Sequence, residues 1–124
     1  MQMRVYYEDT DAGGIVYHSN YLKFCERARS EIFFERGLSP ASEETQFVVA
    51  HVDASFKAPA KLGDLLNVTT ELKSTKRSSL ILKQEVFCEE KPLFSMDVTL
   101  VFMKNSKPSR LSEETLELFR RYKS

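Results

Sequence analysis

The chain of 124 residues carries no excess of either charge: eighteen basic side chains meet eighteen acidic ones, for a formal net charge of +0 at pH 7. Without a global field nothing concentrates a polyanion along the surface, so nucleic acid is not an expected partner. Long apolar runs are missing as well. No stretch approaches the roughly 18 apolar residues that a membrane span needs, and Met1-Gln2-Met3-Arg4-Val5 shows no basic-then-apolar leader. The expectation is a cytoplasmic protein without membrane insertion. Cysteine is scarce, and Cys25 and Cys88 lack the short paired spacings of zinc sites or disulfide frameworks. Both are expected as reduced thiols packed like small apolar side chains, and His18 and His51 add no metal-binding pattern. A Gly-x-Ser-x-Gly elbow is absent, which removes the usual means of presenting a nucleophilic serine. There are no repeats, linkers or low-complexity tracts.

What is present is the composition of an ordinary globular domain, 42% hydrophobic and 29% charged, and residues 1–124 are expected to form one domain with one core. Gln2 to Tyr7 reads as a first strand. From Tyr21 the apolar spacing turns helical, through Phe24/Cys25, Ala28 and Ile32, with Gly37 as the C-terminal glycine and Pro40 preventing continuation. A helix from about Ser19 to Arg36 follows. The period then falls to two. Val48, Ala50, Val52, Ala54 and Phe56 read as one face of a strand, followed by Leu66 to Leu72, Leu80 to Cys88 and Phe94 to Phe102, with Ala58 to Asp64 and Glu89 to Pro92 as punctuation. A last helix is expected with Ser112 as N-cap, Glu113 and Glu114 in its first turn and Arg120 and Arg121 near its end. Leu111, Thr115, Leu118 and Tyr122 are expected to pack it onto the body. The order strand, long helix, then strands joined by short turns argues for an α+β fold, an antiparallel sheet with one helix packed on it. Its uncovered sheet edge argues for at least a homodimer.

The chemistry-bearing residues gather in Glu8-Asp-Thr-Asp-Ala-Gly-Gly-Ile-Val-Tyr-His-Ser-Asn-Tyr-Leu22, immediately before the long helix. A helix N-terminus offers unpaired N–H groups and partial positive charge, so negative charge developing on a reacting carbonyl oxygen is stabilised there. Asp9 and Asp11 are candidate nucleophiles or general bases beside it. Asp next to Gly13-Gly14 also makes an ordinary Asx-turn. His18 can contribute its backbone N–H or its imidazole, and Tyr17 and Tyr21 read as packing or pocket wall. Glu26, in Glu-Arg-Ala-Arg, reads as an ion pair with a nearby arginine. Lys73, Lys76, Arg77, Ser78 and Ser79 cluster at a turn between strands, either as a solvated tip or as a binding site for phosphate.

The run Tyr6-Tyr-Glu-Asp-Thr-Asp-x-Gly-Gly-Ile-Val-Tyr-His-x-x-Tyr-Leu, continuing into Glu26-Arg-Ala-Arg29, closely resembles the YbgC subgroup of the 4-hydroxybenzoyl-CoA thioesterase family. The resemblance implies a hot-dog fold, a five-stranded antiparallel sheet wrapped around the central helix with a C-terminal helix added, and hydrolysis of an acyl-CoA without metal or redox cofactor. It places the catalytic carboxylate on Asp11 and the carbonyl-polarising N–H on His18. Gly14, Ile15, Val16, Tyr17 and Tyr21 are then expected at the acyl pocket, and Lys76, Arg77 and Ser78 at the coenzyme A phosphates. It also implies dimers joined edge to edge with active sites at the interface, commonly paired into homotetramers. Two rivals stand beside this reading: a hot-dog dehydratase acting on a 3-hydroxyacyl thioester, for which Glu26 would be indispensable, and a non-catalytic acyl-thioester-binding or scaffold protein.

Overall fold

In the computed structural model, residues 1–122 are described. Strand β1 (Gln2–Arg4) is followed by a 3₁₀ turn (Tyr7–Asp9), helix α1 (His18–Phe34), strands β2 (Thr45–Phe56), β3 (Leu65–Thr75), β4 (Ser79–Cys88), β5 (Lys91–Lys104) and β6 (Lys107–Pro108), and helix α2 (Glu113–Arg121). All strand pairs are antiparallel, in the order β1-β3-β4-β5-β2, with β6 on β5. The sheet curls around α1 as a half-barrel, the hot-dog arrangement. Strands β1 and β2 are its edges.

Helix α1 buries Tyr21, Phe24, Cys25, Ala28 and Ile32, the stripe set by its apolar spacing, together with Phe33. Those side chains meet Leu66 and Val68 of β3, Leu80, Leu82 and Val86 of β4, and Phe94, Met96, Val98 and Leu100 of β5 in one apolar core. Gly37, at φ +70°, turns the chain out of α1 while the Leu38 N–H closes onto the Phe33 carbonyl at 2.9 Å. The Ser112 side chain caps α2 by accepting the Thr115 N–H at 3.1 Å. Leu111 and Leu118 anchor that helix as expected, with Thr115 and Tyr122 half-buried; Phe119 is buried too, its ring edge-on to Phe33 at 5.5 Å.

Four details differ from the sequence pattern. The first strand stops at Arg4 rather than Tyr7, because the Asp9 carboxylate takes the Tyr6 N–H at 2.9 Å and winds the chain into the 3₁₀ turn. Helix α1 begins at His18 and ends at Phe34, slightly earlier than expected at both ends. The sheet has six strands, not five: Asn105 and Ser106, at φ 50° and 66°, make a two-residue hairpin turn that adds β6. In β2 the period-two reading fails at its start. A bulge between Val49 and His51 shifts the register, so Phe47 packs on the core while Val48 is exposed; after the bulge Val52 and Ala54 turn inward as expected.

Candidate active site

The segment before α1 is a compact loop that its own backbone ties to two neighbours. The Asp11 N–H donates to the Ile15 carbonyl at 2.8 Å and the Gly14 N–H to the Asp11 carbonyl at 3.1 Å, a tight turn completed by Gly14 at φ +80°. A side chain at Gly14 would be strained whatever space it had. The Val16 N–H then reaches the Ala60 carbonyl at 2.9 Å and the Leu62 N–H the Gly14 carbonyl at 3.1 Å, which docks the loop on the Ala58–Asp64 connection.

Its other anchor is buried and polar. Asn20, in the first turn of α1, donates its amide to the Asp9 carbonyl at 2.8 Å, and the Tyr17 N–H shares that carbonyl at 3.2 Å. With its carboxylate committed to Tyr6, Asp9 is a structural residue of the turn. Asn20 was not legible as a site residue; its one sequence signal is a polar side chain beside Tyr21 at the start of an otherwise buried stripe.

Asp11 makes the turn that its sequence context allows. Its Oδ1 accepts the Gly13 N–H at 2.8 Å and the Ile15 N–H at 3.3 Å, the Asx-turn arrangement. Oδ2 has no protein donor among the described residues, so one carboxylate oxygen holds the loop while the other remains open. Gly13 leaves room for this geometry, since a Cβ there would lie 3.3 Å from Oδ1.

Among the described residues no side chain caps the N-terminus of helix α1. The Tyr17 amide goes to Asp9 and the Asn20 amide to the Tyr17 carbonyl at 3.0 Å, so the first-turn amides of His18 and Ser19 are left without protein acceptors among the described residues. The His18 ring is exposed and packs on Phe56 with centroids 4.4 Å apart. Beside it opens a cavity of about 230 Å³ walled by Ile15, Val16, His18, Tyr21, Phe56 and the Lys57–Pro59 segment. Tyr21 is buried there, its ring stacked on Phe94 at 5.0 Å and its hydroxyl accepting the Ala60 N–H at 3.0 Å. Burial pushes the Tyr21 phenol above its ordinary range.

Of the expected site residues, Ile15, Val16, His18 and Tyr21 therefore share one cavity. Asp11, Gly14 and Tyr17 belong to the adjoining loop and do not line it. Phe56, Lys57 and Pro59 line it without having been expected at the acyl site. Lys76, Arg77 and Ser78 form the β3–β4 turn, with Lys76 and Arg77 exposed and Ser78 half-buried. The Arg77 carbonyl takes the Leu111 N–H and the Ser78 carbonyl the Phe102 N–H, at 2.9 and 2.8 Å. Within one protomer this turn stands at the opposite end of the sheet from His18: Phe56 aligns through Phe94 with Val86, seven residues along β4 from Ser79, about 23 Å away. Glu26 makes no ion pair among the described residues; its carboxylate accepts the Ser30 hydroxyl at 3.3 Å, one helical turn along.

Known proteins resemble this chain over most of its length. The family model described as the thioesterase superfamily matches residues 13–95. The chain is 50% identical over 88 residues to the acyl-CoA thioesterase YbgC of Helicobacter pylori, covering 71% of this chain and 66% of that protein, just under two thirds of its length. It is 41% identical over 102 residues to the acyl-CoA thioester hydrolase YbgC of Escherichia coli, with coverage of 80% and 76%. Among solved structures, a probable thioesterase from Bartonella henselae superposes with a TM-score of 0.85 at 34% identity, over 90% of this chain and 97% of that one.

Proposed function

Because the chain belongs to the thioesterase superfamily, we propose that it hydrolyses an acyl-coenzyme A thioester to the free acid and coenzyme A, with Asp11 as its essential carboxylate. The observation that carries this reading is the uncapped N-terminus of α1, which opens into an apolar cavity beside the Asp11 loop. In the proposed complex the thioester oxygen accepts the His18 N–H, a bond that strengthens as the oxygen gains charge. The acyl group lies against Ile15, Val16, Tyr21 and Phe56, with Gly14 and Tyr17 shaping the entrance. The open oxygen of Asp11 then attacks the carbonyl to give a mixed anhydride that water cleaves, or takes the proton of an attacking water. On either route the sulfur leaves as coenzyme A thiolate. The reaction draws on no metal or redox cofactor.

The distance between His18 and the Lys76–Ser78 turn gives oligomerisation a chemical purpose. Strand β2 is a sheet edge with Val48, Val49 and Phe56 exposed, an arrangement suited to pairing with a second copy. Antiparallel β2–β2 pairing sets the Phe56 end of one protomer beside the Thr45 end of the other, which lies towards that copy's Lys76–Ser78 turn. Pantetheine then runs between subunits, and Lys76, Arg77 and Ser78 of the second copy receive the phosphates. The proposed unit is a homodimer, paired further into a homotetramer, working in the cytoplasm.

Thiol release from a panel of acyl-CoA and acyl-carrier-protein thioesters, run with light scattering on the same sample, tests the reading. Turnover of at least one acyl-CoA by a dimer or larger assembly is expected. Bound acyl-CoA without thiol release identifies the non-catalytic alternative, and a monomer refutes the shared site.

A further inference from the structure

A second cavity, about 330 Å³, lies along the far half of α1, where Phe33, Phe47, Leu100 and Phe119 give it an apolar wall. The cation in that wall is Arg29. Its Nη1 donates to the Gln84 Oε1 at 3.3 Å, and Gln84, fully buried, is held in turn by donating to the Cys25 carbonyl at 2.8 Å and the Thr70 hydroxyl at 3.0 Å. Gln84 thus anchors one donor of the fork to the core. No carboxylate of the described residues comes within 4.0 Å of the guanidinium. A partly desolvated arginine is ordinarily compensated by an anion, with two donors available for one carboxylate. Burial lowers its proton affinity, partly offset by the field of Glu26. Glu26 stands at the edge of the cavity, exposed and engaged by Ser30.

We propose that this cavity binds an apolar chain ending in a carboxylate, the chain against the phenylalanines and the carboxylate on Arg29. Two sources share that chemistry: a free fatty acid, which is the product of the proposed reaction, and the distal carboxylate of a dicarboxylic acyl chain. The second source rests on the thioesterase reading; binding itself does not.

Calorimetric titration of the full chain with octanoate and with octanol separates the carboxylate from the chain. Octanoate is expected to bind at least about tenfold more tightly, the scale of a charge-assisted bidentate contact. Arg29→Met, which keeps the bulk, is expected to abolish that preference, Arg29→Lys to retain part of it, and Glu26→Gln to tighten octanoate by removing a like charge. Equal affinity of the parent protein for both ligands overturns the proposal without recourse to any variant, as does octanoate binding that Arg29→Met leaves unchanged. Comparing kcat/KM for acyl-CoAs of one length with and without a distal carboxylate then assigns the source. A preference lost in Arg29→Met points to the acyl end, and octanoate binding without such a preference points to the free acid. Octanoate binding in a protein that hydrolyses no thioester retains this inference while removing the proposed function.

Discussion

Replacing Tyr21 by Phe removes one oxygen from the wall of the proposed acyl pocket and leaves the ring contacts in place. The hydroxyl is the acceptor for the Ala60 N–H, and Ala60 is fully buried, so the substitution strips a buried donor of its acceptor. A buried donor stripped of its acceptor costs about 1–3 kcal/mol, whereas the cavity left by a single oxygen adds little. For a domain of this size each kcal/mol lowers Tm by about 3–5 °C, so a fall of about 3–15 °C is expected. Urea denaturation should show the midpoint falling with m unchanged, since the exposed surface on unfolding is the same. The consequence extends to function. Ala60 also supplies the carbonyl that holds Val16, so loosening it frees both walls of the cavity, and KM is expected to rise more than kcat falls. A stability change below about 0.5 kcal/mol would refute the reasoning, because the Ala60 amide would then have been satisfied by other means.

Other expectations follow from buried groups. Burial pushes the Cys25 thiol up to about 12, so at pH 8 only about one molecule in ten thousand carries its thiolate. A disulfide reagent should titrate Cys88, which is only half-buried, and reach Cys25 only on unfolding. The same shift makes the protonated thiol part of the fold's stability: it is fully present below the unfolded value near 9 and is lost as pH rises towards 12. Cys25→Ala should therefore show a shallower stability loss between pH 8 and pH 10.5 than the parent, and equal slopes would contradict the burial argument. Asn20→Leu removes the amide that holds the Asp9 carbonyl; a loss of about 1–2 kcal/mol is expected, with a fall in kcat because the Asp11 loop is hung from that bond. Unchanged kcat in a destabilised variant would make Asn20 structural only.

The residues that betrayed the fold were those whose burial is periodic. Tyr21, Phe24, Cys25, Ala28 and Ile32 mark the helix face, and Phe94 to Leu100 mark an interior strand, because one face of each must leave water. Periodicity fails where the backbone inserts a residue. The β2 bulge swaps Phe47 for Val48 on the inner face, and nothing in that alternating run announces the swap. It fails again at buried polar groups: Gln84 interrupts the apolar face of β4, and its partners Cys25, Thr70 and Arg29 are 59, 14 and 55 residues away. At the candidate site, the Asp-x-Gly-Gly turn and the helix start are local and were legible, since each is made by neighbours in the chain. The walls Phe56, Lys57 and Pro59 come from a distant segment, and Asn20 acts through a carbonyl, which no side-chain pattern encodes.

The most direct test of the account is single-turnover thiol release by Asp11→Asn. The asparagine oxygen can accept the same Gly13 and Ile15 amides that Asp11 Oδ1 accepts, so the loop is kept and the charge alone is removed. A loss of about 100-fold or more in rate is expected, roughly 2.7 kcal/mol of transition-state stabilisation, with acyl-CoA affinity and Tm preserved. A variant that releases thiol at the parental rate would contradict it and reduce Asp11 to the turn residue its hydrogen bonds already describe.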